Sequence, residues 1–320
     1  MAHDGHDHHH HGGHHHGHDH GHGHAHGGHH HHHHAPADTG DWRYLLGLTV
    51  NLAFVVVEFG AGVVSNSTAL MADAGHNLSD VLGLAMAGGA IWLARRAASA
   101  NRTYGFGKAT VLAALANALL LIFACGAIAL EAVQRLAEPA PVQSGLVMAV
   151  AAIGFVINLG TALLFMRDQH SDLNARGAYL HMMSDAAVSI GVVVAGGFIW
   201  LTGWSLIDPL VSLGIVAVIL WGTWGLLTDS VDLAIDAAPR GMDVARIKAA
   251  LLDLPGVSAI HDLHVWGLST TETALTAHLV HARPDASDLL VEAQKLVRGF
   301  GVGHVTLQLE SDILPDCPDC

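Results

Sequence analysis

The chain is poor in charge, in cysteine and in basic residues, and each shortage excludes a class of protein. Only 13% of its 320 residues are charged, about half the share of a typical soluble domain, whereas 51% are hydrophobic. Three cysteines cannot build a disulfide framework. The 14 Lys and Arg residues form no basic stripe for nucleic acid, and neither a Gly-x-x-x-x-Gly-Lys loop nor an Asp-Lys-Thr-Gly motif of ATP-driven pumps occurs. We therefore predict a membrane protein that is not an enzyme.

The hydrophobic residues are concentrated in six segments, each long enough to cross ~30 Å of hydrocarbon as a helix. The predicted spans are Tyr44 to Val64, Ala69 to Leu93, Thr110 to Leu136, Gly145 to Met166, Leu173 to Leu201 and Leu206 to Leu227. Together they predict a six-helix transmembrane domain over residues 42–229.

The connecting loops predict which way the chain crosses the bilayer. Arg95, Arg96, Arg102 and Lys108 lie between spans two and three, and Arg167 and Arg176 lie around the connection of spans four and five. The opposite connections, 65–68, 137–144 and 202–205, contain no Lys or Arg. By the positive-inside rule, the basic loops and both termini are cytoplasmic. We expect a multi-pass protein of a bacterial inner membrane.

Residues 1–41 form a tail of a different composition. Residues 1–34 hold 20 of the 28 histidines, mixed with Gly and Asp. Such a segment cannot form a packed core and is predicted to be a disordered cytoplasmic tail. Its many imidazoles are typical of a segment that binds divalent metal ions.

Residues 240–314 have the composition of a soluble domain. Two amphipathic helices are predicted, at Asp243 to Leu254 and at Asp288 to Gly299. Three strands are predicted, at Val257 to Leu268, Glu272 to His281 and His304 to Glu310. The order αββαβ predicts a cytoplasmic α/β domain of ferredoxin-like type. In the last segment, 315–320, the Cys-x-x-Cys spacing of Cys317 and Cys320 suits capture of one Zn²⁺.

One pattern occurs twice inside the predicted spans: His76 with Asp80, and His181 with Asp185. Positions i and i+4 share a face of a helix, so each pattern presents an imidazole beside a carboxylate. Two such helices facing each other supply two histidines and two carboxylates, a ligand set and number that Zn²⁺ prefers. A single intramembrane histidine is more often a packing residue, but two matched pairs predict a metal site near mid-membrane.

The chemistry of this site predicts exchange of metal for protons. Two carboxylates in a poorly solvated cavity carry a charge of −2 that either protons or Zn²⁺ can relieve. Metal ligands must be deprotonated, so metal and protons compete. The unperturbed histidine pKa of ~6.5 lies near cytoplasmic pH. An inward proton gradient can then drive metal export.

The histidine-rich tail has two interpretations in such a protein. It either raises the metal concentration at the inner mouth of the protein or acts as a separate metal buffer. Deletion of residues 1–34 is expected to lower apparent metal affinity and leave transport intact.

We interpret the other polar residues in the predicted spans as structural. Asp73 is interpreted as a helix-start residue, with a supporting role at the metal site as the alternative. Asn51, Glu58, Asn117 and Asn158 are interpreted as interhelical hydrogen-bonding groups, with a role in gating or coupling as the alternative. Cys125 is interpreted as a small apolar filler.

Six sequence strings, in order, resemble the cation diffusion facilitator family. They are Ser67 to His76 running into Asp80, Arg102-Thr103-Tyr104-Gly105, His181 to Asp185, Asp208-Pro209, His261 to Trp266, and His304 to Glu310. The resemblance implies a homodimeric exporter that exchanges Zn²⁺ for H⁺, with His76, Asp80, His181 and Asp185 as the transport site. Within the family, aspartate in place of the first histidine is associated with broader selectivity that includes Cd²⁺. Co²⁺ or Ni²⁺ export remains open.

The resemblance also implies cytoplasmic metal sites. In relatives, the equivalents of His261, His278 and Glu310 contribute to regulatory zinc sites near the dimer interface, and some members end in Cys-x-x-Cys. The candidates are His261, His278, His304, Glu310, Cys317 and Cys320. A membrane-bound metal sensor or storage protein is the competing class, because it would use the same ligands. It gains nothing, however, from placing ligands where desolvation costs most.

Overall fold

The structure is a computed structural model that describes residues 42–166, 173–284 and 286–311. The histidine-rich tail and the Cys317–Cys320 pair lie outside the described residues, so the predictions made for them stay predictions.

Six long helices form the first part of the chain. They are α1 (Trp42–Ser65), α2 (Thr68–Ala94), α3 (Lys108–Ala137), α4 (Ser144–Phe165), α5 (Leu173–Thr202) and α6 (Ile207–Ala234). Within the described residues, the helices from α2 to α6 are long and apolar enough to cross a membrane. In α1 the apolar part measured by the same criterion, Thr49–Ser65, is shorter. Five spans therefore agree with the prediction, and the sixth remains a prediction.

The start of α2 is fixed by local chemistry and by a distant side chain. Asn66 adopts the left-handed conformation (φ 58°), and the Ser67 hydroxyl accepts a hydrogen bond from the Leu70 amide at 3.1 Å. This is the N-cap arrangement that serine favours. Asp208 of α6 accepts bonds from the Ser67 hydroxyl at 2.5 Å and from the amide and hydroxyl of Thr68 at 2.6 and 2.8 Å. Two helices distant in sequence are thereby joined at one end.

The helices pack in a pattern that separates the two predicted ligand helices. α5 packs mainly on α4, and α2 packs mainly on α1 and α3, so α2 and α5 contact each other only sparsely. Small residues allow the close approaches: a side chain at Gly154 would lie 2.9 Å from the Phe54 ring. The interior includes Leu70, Val147 and Val192, all fully buried, and Cys125 lies in the same cluster as predicted.

Helix α6 extends beyond the predicted span. It continues past Leu227 to Ala234, and the proposed domain boundary at residue 229 stays a prediction. The apolar segment ends at Leu227 because polar residues follow, but polar residues can continue a helix. Hydropathy therefore predicts where the apolar segment stops, whereas the end of a helix depends on caps and helix-breaking residues. At this end Lys108 bonds to the Leu233 carbonyl at 2.7 Å and to Asp236 at 2.6 Å.

The C-terminal part has the predicted order of elements. These are α7 (Val244–Leu252), β1 (Val257–Gly267), β2 (Thr273–His281), α8 (Ala286–Gly299) and β3 (His304–Glu310). The strands form one sheet in the order β1-β2-β3, with β1 antiparallel to β2 and β2 parallel to β3. Its own core includes Ile247, Leu275 and Leu289, all fully buried. The ferredoxin-like assignment stays a prediction.

Candidate metal centre

The structure brings the two His/Asp patterns together. His76 and Asp80 lie one turn apart on α2, and His181 and Asp185 lie one turn apart on α5. Both carboxylates are buried, with Asp185 only 2% exposed. The four side chains therefore meet between helices that otherwise contact each other little.

The four side chains alternate, so that each imidazole lies between two carboxylates. His76 Nε2 is 3.6 Å from Asp80 Oδ2 and 3.5 Å from Asp185 Oδ1. His181 Nε2 is 3.2 Å from Asp80 Oδ2 and 3.6 Å from Asp185 Oδ2. Around a tetrahedral Zn²⁺ with bonds of ~2.1 Å, neighbouring ligand atoms lie about 3.4 Å apart. The four His–Asp separations are close to this value. His76, Asp80 and Asp185 have ligand atoms that all lie within 4.8 Å of one another, whereas the His76 and His181 rings are 6.1 Å apart between centres, so His181 would have to move inward to share one ion with them.

A cavity of about 90 Å³ opens onto these groups. Its remaining lining is largely apolar and comes from α3, α5 and α6, including Leu121, Val188, Ile215 and Ile219. Asn117, Ser184 and Thr223 add uncharged polar groups to the wall. Within the lining, the two histidines and two carboxylates are therefore the groups best suited to bind a divalent cation.

The position of Asp73 contradicts one interpretation made from the sequence. The first turn of α2 contains no acidic residue, and Asp73 lies deeper in the helix, fully buried. Its Oδ2 accepts a hydrogen bond of 3.1 Å from the Ser189 hydroxyl of α5. The helix-start role is wrong because Ser67 caps the helix and Asp73 faces another helix.

Asp208 is a residue whose role the sequence did not reveal. It was noted only as part of the Asp208-Pro209 string, yet it is 2% exposed and accepts the three bonds from Ser67 and Thr68 described above. Its effect on the metal centre is indirect, because it fixes the end of the helix that carries His76 and Asp80.

A second cluster lies in the C-terminal sheet. His261 of β1 and His278 of β2 are paired in register, and their rings lie 5.0 Å apart. Glu310, at the end of β3, contacts both: Oε2 is 3.0 Å from His261 Nε2 and Oε1 is 3.0 Å from His278 Nδ1. These three residues have ligand atoms close enough to hold one metal ion.

The surroundings of Glu310 favour its charged form. Burial raises the pKa of this carboxyl, but hydrogen bonds from His261 and from the Gln308 amide outweigh burial and leave the pKa below its ordinary value of 4.5. Glu310 is thus a carboxylate near neutral pH, as a metal ligand must be.

The other cytoplasmic candidates are distributed around this cluster. Asp262, not singled out from the sequence, extends it: its carboxylate lies 3.5 Å from His278 Nε2 and 2.8 Å from His264 Nε2. His304 lies at the opposite end of β3 from Glu310 and packs edge-on against Tyr104, at 5.4 Å between ring centres. His304 is therefore not brought into the cluster.

Two family models match the chain, and the boundary between them lies where the fold also divides, near the end of α6. The cation efflux transmembrane domain matches residues 44–233, and the cytoplasmic domain of cation efflux proteins matches residues 239–312. The first match alone covers more than half of the chain and includes all four residues of the membrane-embedded centre.

Individual relatives agree with these matches. The chain is 36% identical over 268 residues to the metal cation efflux system protein CzcD of Cupriavidus metallidurans, covering 83% of this chain and 85% of that protein. It is 34% identical over 288 residues to the zinc transporter ZitB of Escherichia coli (88% and 92%). It is 32% identical over 277 residues to a cadmium, cobalt and zinc/H(+)-K(+) antiporter of Bacillus subtilis (84% and 88%). The chain therefore belongs to the cation diffusion facilitator family of metal cation efflux transporters.

Proposed function

We propose that this protein exports Zn²⁺ from the cytoplasm in exchange for H⁺, and that His76, Asp80, His181 and Asp185 bind the transported ion. One observation carries the proposal. The Nε2 atom of each histidine lies 3.2 to 3.6 Å from an oxygen of both Asp80 and Asp185, a spacing that suits side chains that bind one divalent ion.

The donor set supports zinc as the cargo. Two imidazoles and two carboxylates favour Zn²⁺, Co²⁺ or Ni²⁺ over Mg²⁺, Ca²⁺ and Mn²⁺, which prefer oxygen ligands. A relative in E. coli is named a zinc transporter, and one in B. subtilis a cadmium, cobalt and zinc antiporter. Export of Co²⁺ or Ni²⁺ is the alternative within the same mechanism.

The charge of the centre supports proton exchange. With neutral histidines, Asp80 and Asp185 leave a net charge of −2 in a site that is largely removed from water. Zn²⁺ cancels this charge, and so do protons when the ion leaves. The antiporter named in B. subtilis includes H⁺ among its ions. Protons therefore return as metal is released.

The remaining proposals concern placement and assembly. The basic loops favour six spans with both termini in the cytoplasm of an inner-membrane protein. The αββαβ order, with β1 antiparallel and β3 parallel to β2, is that of a ferredoxin-like domain without its first strand. We infer that the protein is a homodimer and that His261, His278 and Glu310 bind a regulatory zinc ion.

A metal sensor or storage protein is the competing function. It would use both clusters but would not move ions across the bilayer. Purified protein in sealed proteoliposomes distinguishes the two, because zinc flux and lumenal pH can be followed together with two dyes. An exporter changes lumenal pH in step with zinc flux, whereas a sensor gives neither signal.

The same assay tests the site. Asp185→Asn keeps the side-chain shape but removes one charged ligand, so zinc flux and the pH change should both disappear. Glu131→Gln is the matched control, because it removes a carboxylate that pairs with Arg135 away from the centre. Undiminished coupled flux in Asp185→Asn would refute the assignment of the transport site.

A further inference from the structure

Two buried carboxyl groups next to the metal centre are not explained by metal binding. Glu58 of α1 and Asp73 of α2 are both 0% exposed. Burial of an ionised carboxylate without a cationic partner is costly, and burial of two adjacent ones is more so. An intramembrane ionisable residue is a functional candidate by default.

Each carboxyl group has one satisfied oxygen and one that lacks a donor. Glu58 Oε2 accepts a bond of 3.2 Å from the Asn77 amide, and Asp73 Oδ2 accepts the bond of 3.1 Å from Ser189. Glu58 Oε1 and Asp73 Oδ1 are buried and meet no hydrogen-bond donor in the part of the chain that the structure describes. Asp73 lies one helical turn before Asn77 on the same face of α2, so the bond from Asn77 to Glu58 brings the two carboxyl groups close to each other.

A carboxyl–carboxyl contact requires a proton. Two ionised carboxylates are acceptors only, so one must carry a hydrogen to donate to the other. Two carboxylates in one site share a single proton because their like charges cannot both be sustained. One proton would satisfy both oxygens that lack a donor and would halve the buried charge.

We propose that Glu58 and Asp73 together bind one transported proton, at a site separate from the four metal ligands. The proposal rests on the proposed function, since it assigns part of the proton exchange to this pair. The ligand is H⁺, which the pair takes up as metal leaves and gives up as metal returns, with no covalent bond between heavy atoms made or broken.

The contacts of the pair explain how it senses the metal centre. Asn77 is the chain neighbour of His76, and Ser189 lies one helical turn beyond Asp185 on the same face of α5. The charged groups that face the pair are His76 from α2 and Asp185 from α5. A shift of α5 relative to α2 would break the Ser189 bond to Asp73 and change the charge opposite the pair. Metal occupancy and proton occupancy are then linked without shared ligands.

The first test counts protons per zinc ion in proteoliposomes of the full-length protein. Glu58→Gln and Asp73→Asn should each lower the ratio by about one proton, because either amide can donate to the remaining carboxylate without titrating. Glu131→Gln should keep the ratio of the unaltered protein. The ratio of protons to zinc ions does not depend on the rate at which each variant transports zinc. An unchanged ratio in both variants would overturn the proposal.

The second test works in variants that do not transport. Infrared spectra of the zinc-free reconstituted protein near neutral pH should contain a carbonyl band of a protonated carboxyl group. The band should keep its intensity in Glu131→Gln and lose intensity in both Glu58→Gln and Asp73→Asn. Unchanged intensity in either of these two variants would overturn the proposal. If the unaltered protein moved no protons with zinc, the proposed function would fail, and the band would still report whether the pair holds a proton.

Discussion

The proposed metal centre between α2 and α5 and the cluster in the C-terminal sheet combine the same kinds of side chain on very different supports. Both place histidine nitrogens 3.0 to 3.6 Å from carboxylate oxygens. The first joins two helices that contact each other sparsely and pack mainly on other partners. The second joins three strands held in register by backbone hydrogen bonds.

Because their supports differ, the two sites suit different tasks although their side chains are similar. Helices move as rigid units, so a site divided between α2 and α5 can open when one helix shifts. The strand-borne cluster cannot open without breaking the ladder between β1, β2 and β3. A divided site suits an ion that must be released on the other side, and an undivided one suits an ion that stays bound.

The largest effect is expected from a charged ligand of the divided site. Asp80→Asn removes a carboxylate that lies between both histidines, and breaking a buried ionic contact of this kind costs about 3–5 kcal/mol. Zinc flux should therefore fall roughly 100-fold or more. Initial rates in everted membrane vesicles measure it. Ser79→Ala, the adjacent position on α2, is the control. Equal flux in the two variants would contradict the role of Asp80.

The next effect concerns the anchor of α2. Asp208→Asn weakens three hydrogen bonds at the start of that helix, and bonds to a charged acceptor are worth about 1.5–3 kcal/mol each. Thermal unfolding of the purified protein in detergent should begin several degrees lower, roughly as expected for a loss of a few kcal/mol. Ser212→Ala removes one neutral bond, to the Thr68 carbonyl at 3.2 Å, and should cost less. Equal midpoints would show that Asp208 is not the anchor.

A smaller and more selective effect is expected from ligand exchange. His76→Asp replaces an imidazole with oxygen, so the ratio of zinc to manganese flux should fall by about tenfold. The same exchange in the sheet, His261→Asp, should leave that ratio as it is in the unaltered protein. Competition between the two metals in vesicles gives both numbers. A changed ratio in His261→Asp would mean that the sheet cluster selects the cargo.

The smallest effect is expected on the stability of the sheet cluster as a function of pH. The pKa of Glu310 is lowered on folding, so its contribution to stability is present above the ordinary value of 4.5 and is lost as pH falls through the lowered pKa. Hydrogen exchange of peptides from β1 and β3 should be faster in Glu310→Gln near neutral pH, and the difference should vanish in acid. Glu292→Gln, at an exposed pair with Arg283, should exchange normally. A difference that persisted in strong acid would refute this origin.

The sequence predicted that the two His/Asp pairs meet, because the signal of each pair is local. Two His/Asp pairs at i and i+4 share helix faces whatever surrounds them, and the apolar runs bounded α2 to α5 to within a few residues. The end of α6 was missed because Asp229 and Ser230 are polar residues within a helix that continues. Hydropathy reports where a segment leaves the bilayer, not where its backbone hydrogen bonds stop.

The supporting residues could not be predicted because their roles depend on distant contacts. Asp73 acts through Ser189 and Asp208 through Thr68, and more than 100 positions separate the members of each pair. No local spacing reveals which carboxylate faces which helix. The cluster in the sheet came from family resemblance. Asp262 was missed because it lies at a register shift of β1 with a left-handed backbone (φ 52°), an irregularity that no alternating pattern predicts, and its carboxylate lies near His278.

Above all, the proposed transport requires that side chains of α2 and α5 bind one divalent ion together. Crystals of the full-length protein grown with zinc, measured at the zinc absorption edge, test it directly through anomalous difference density. We predict a peak about 2.0–2.2 Å from one ligand atom each of His76, Asp80, His181 and Asp185. Zinc density confined to the sheet cluster, or bound to one membrane helix with the other beyond bonding distance, would contradict the account.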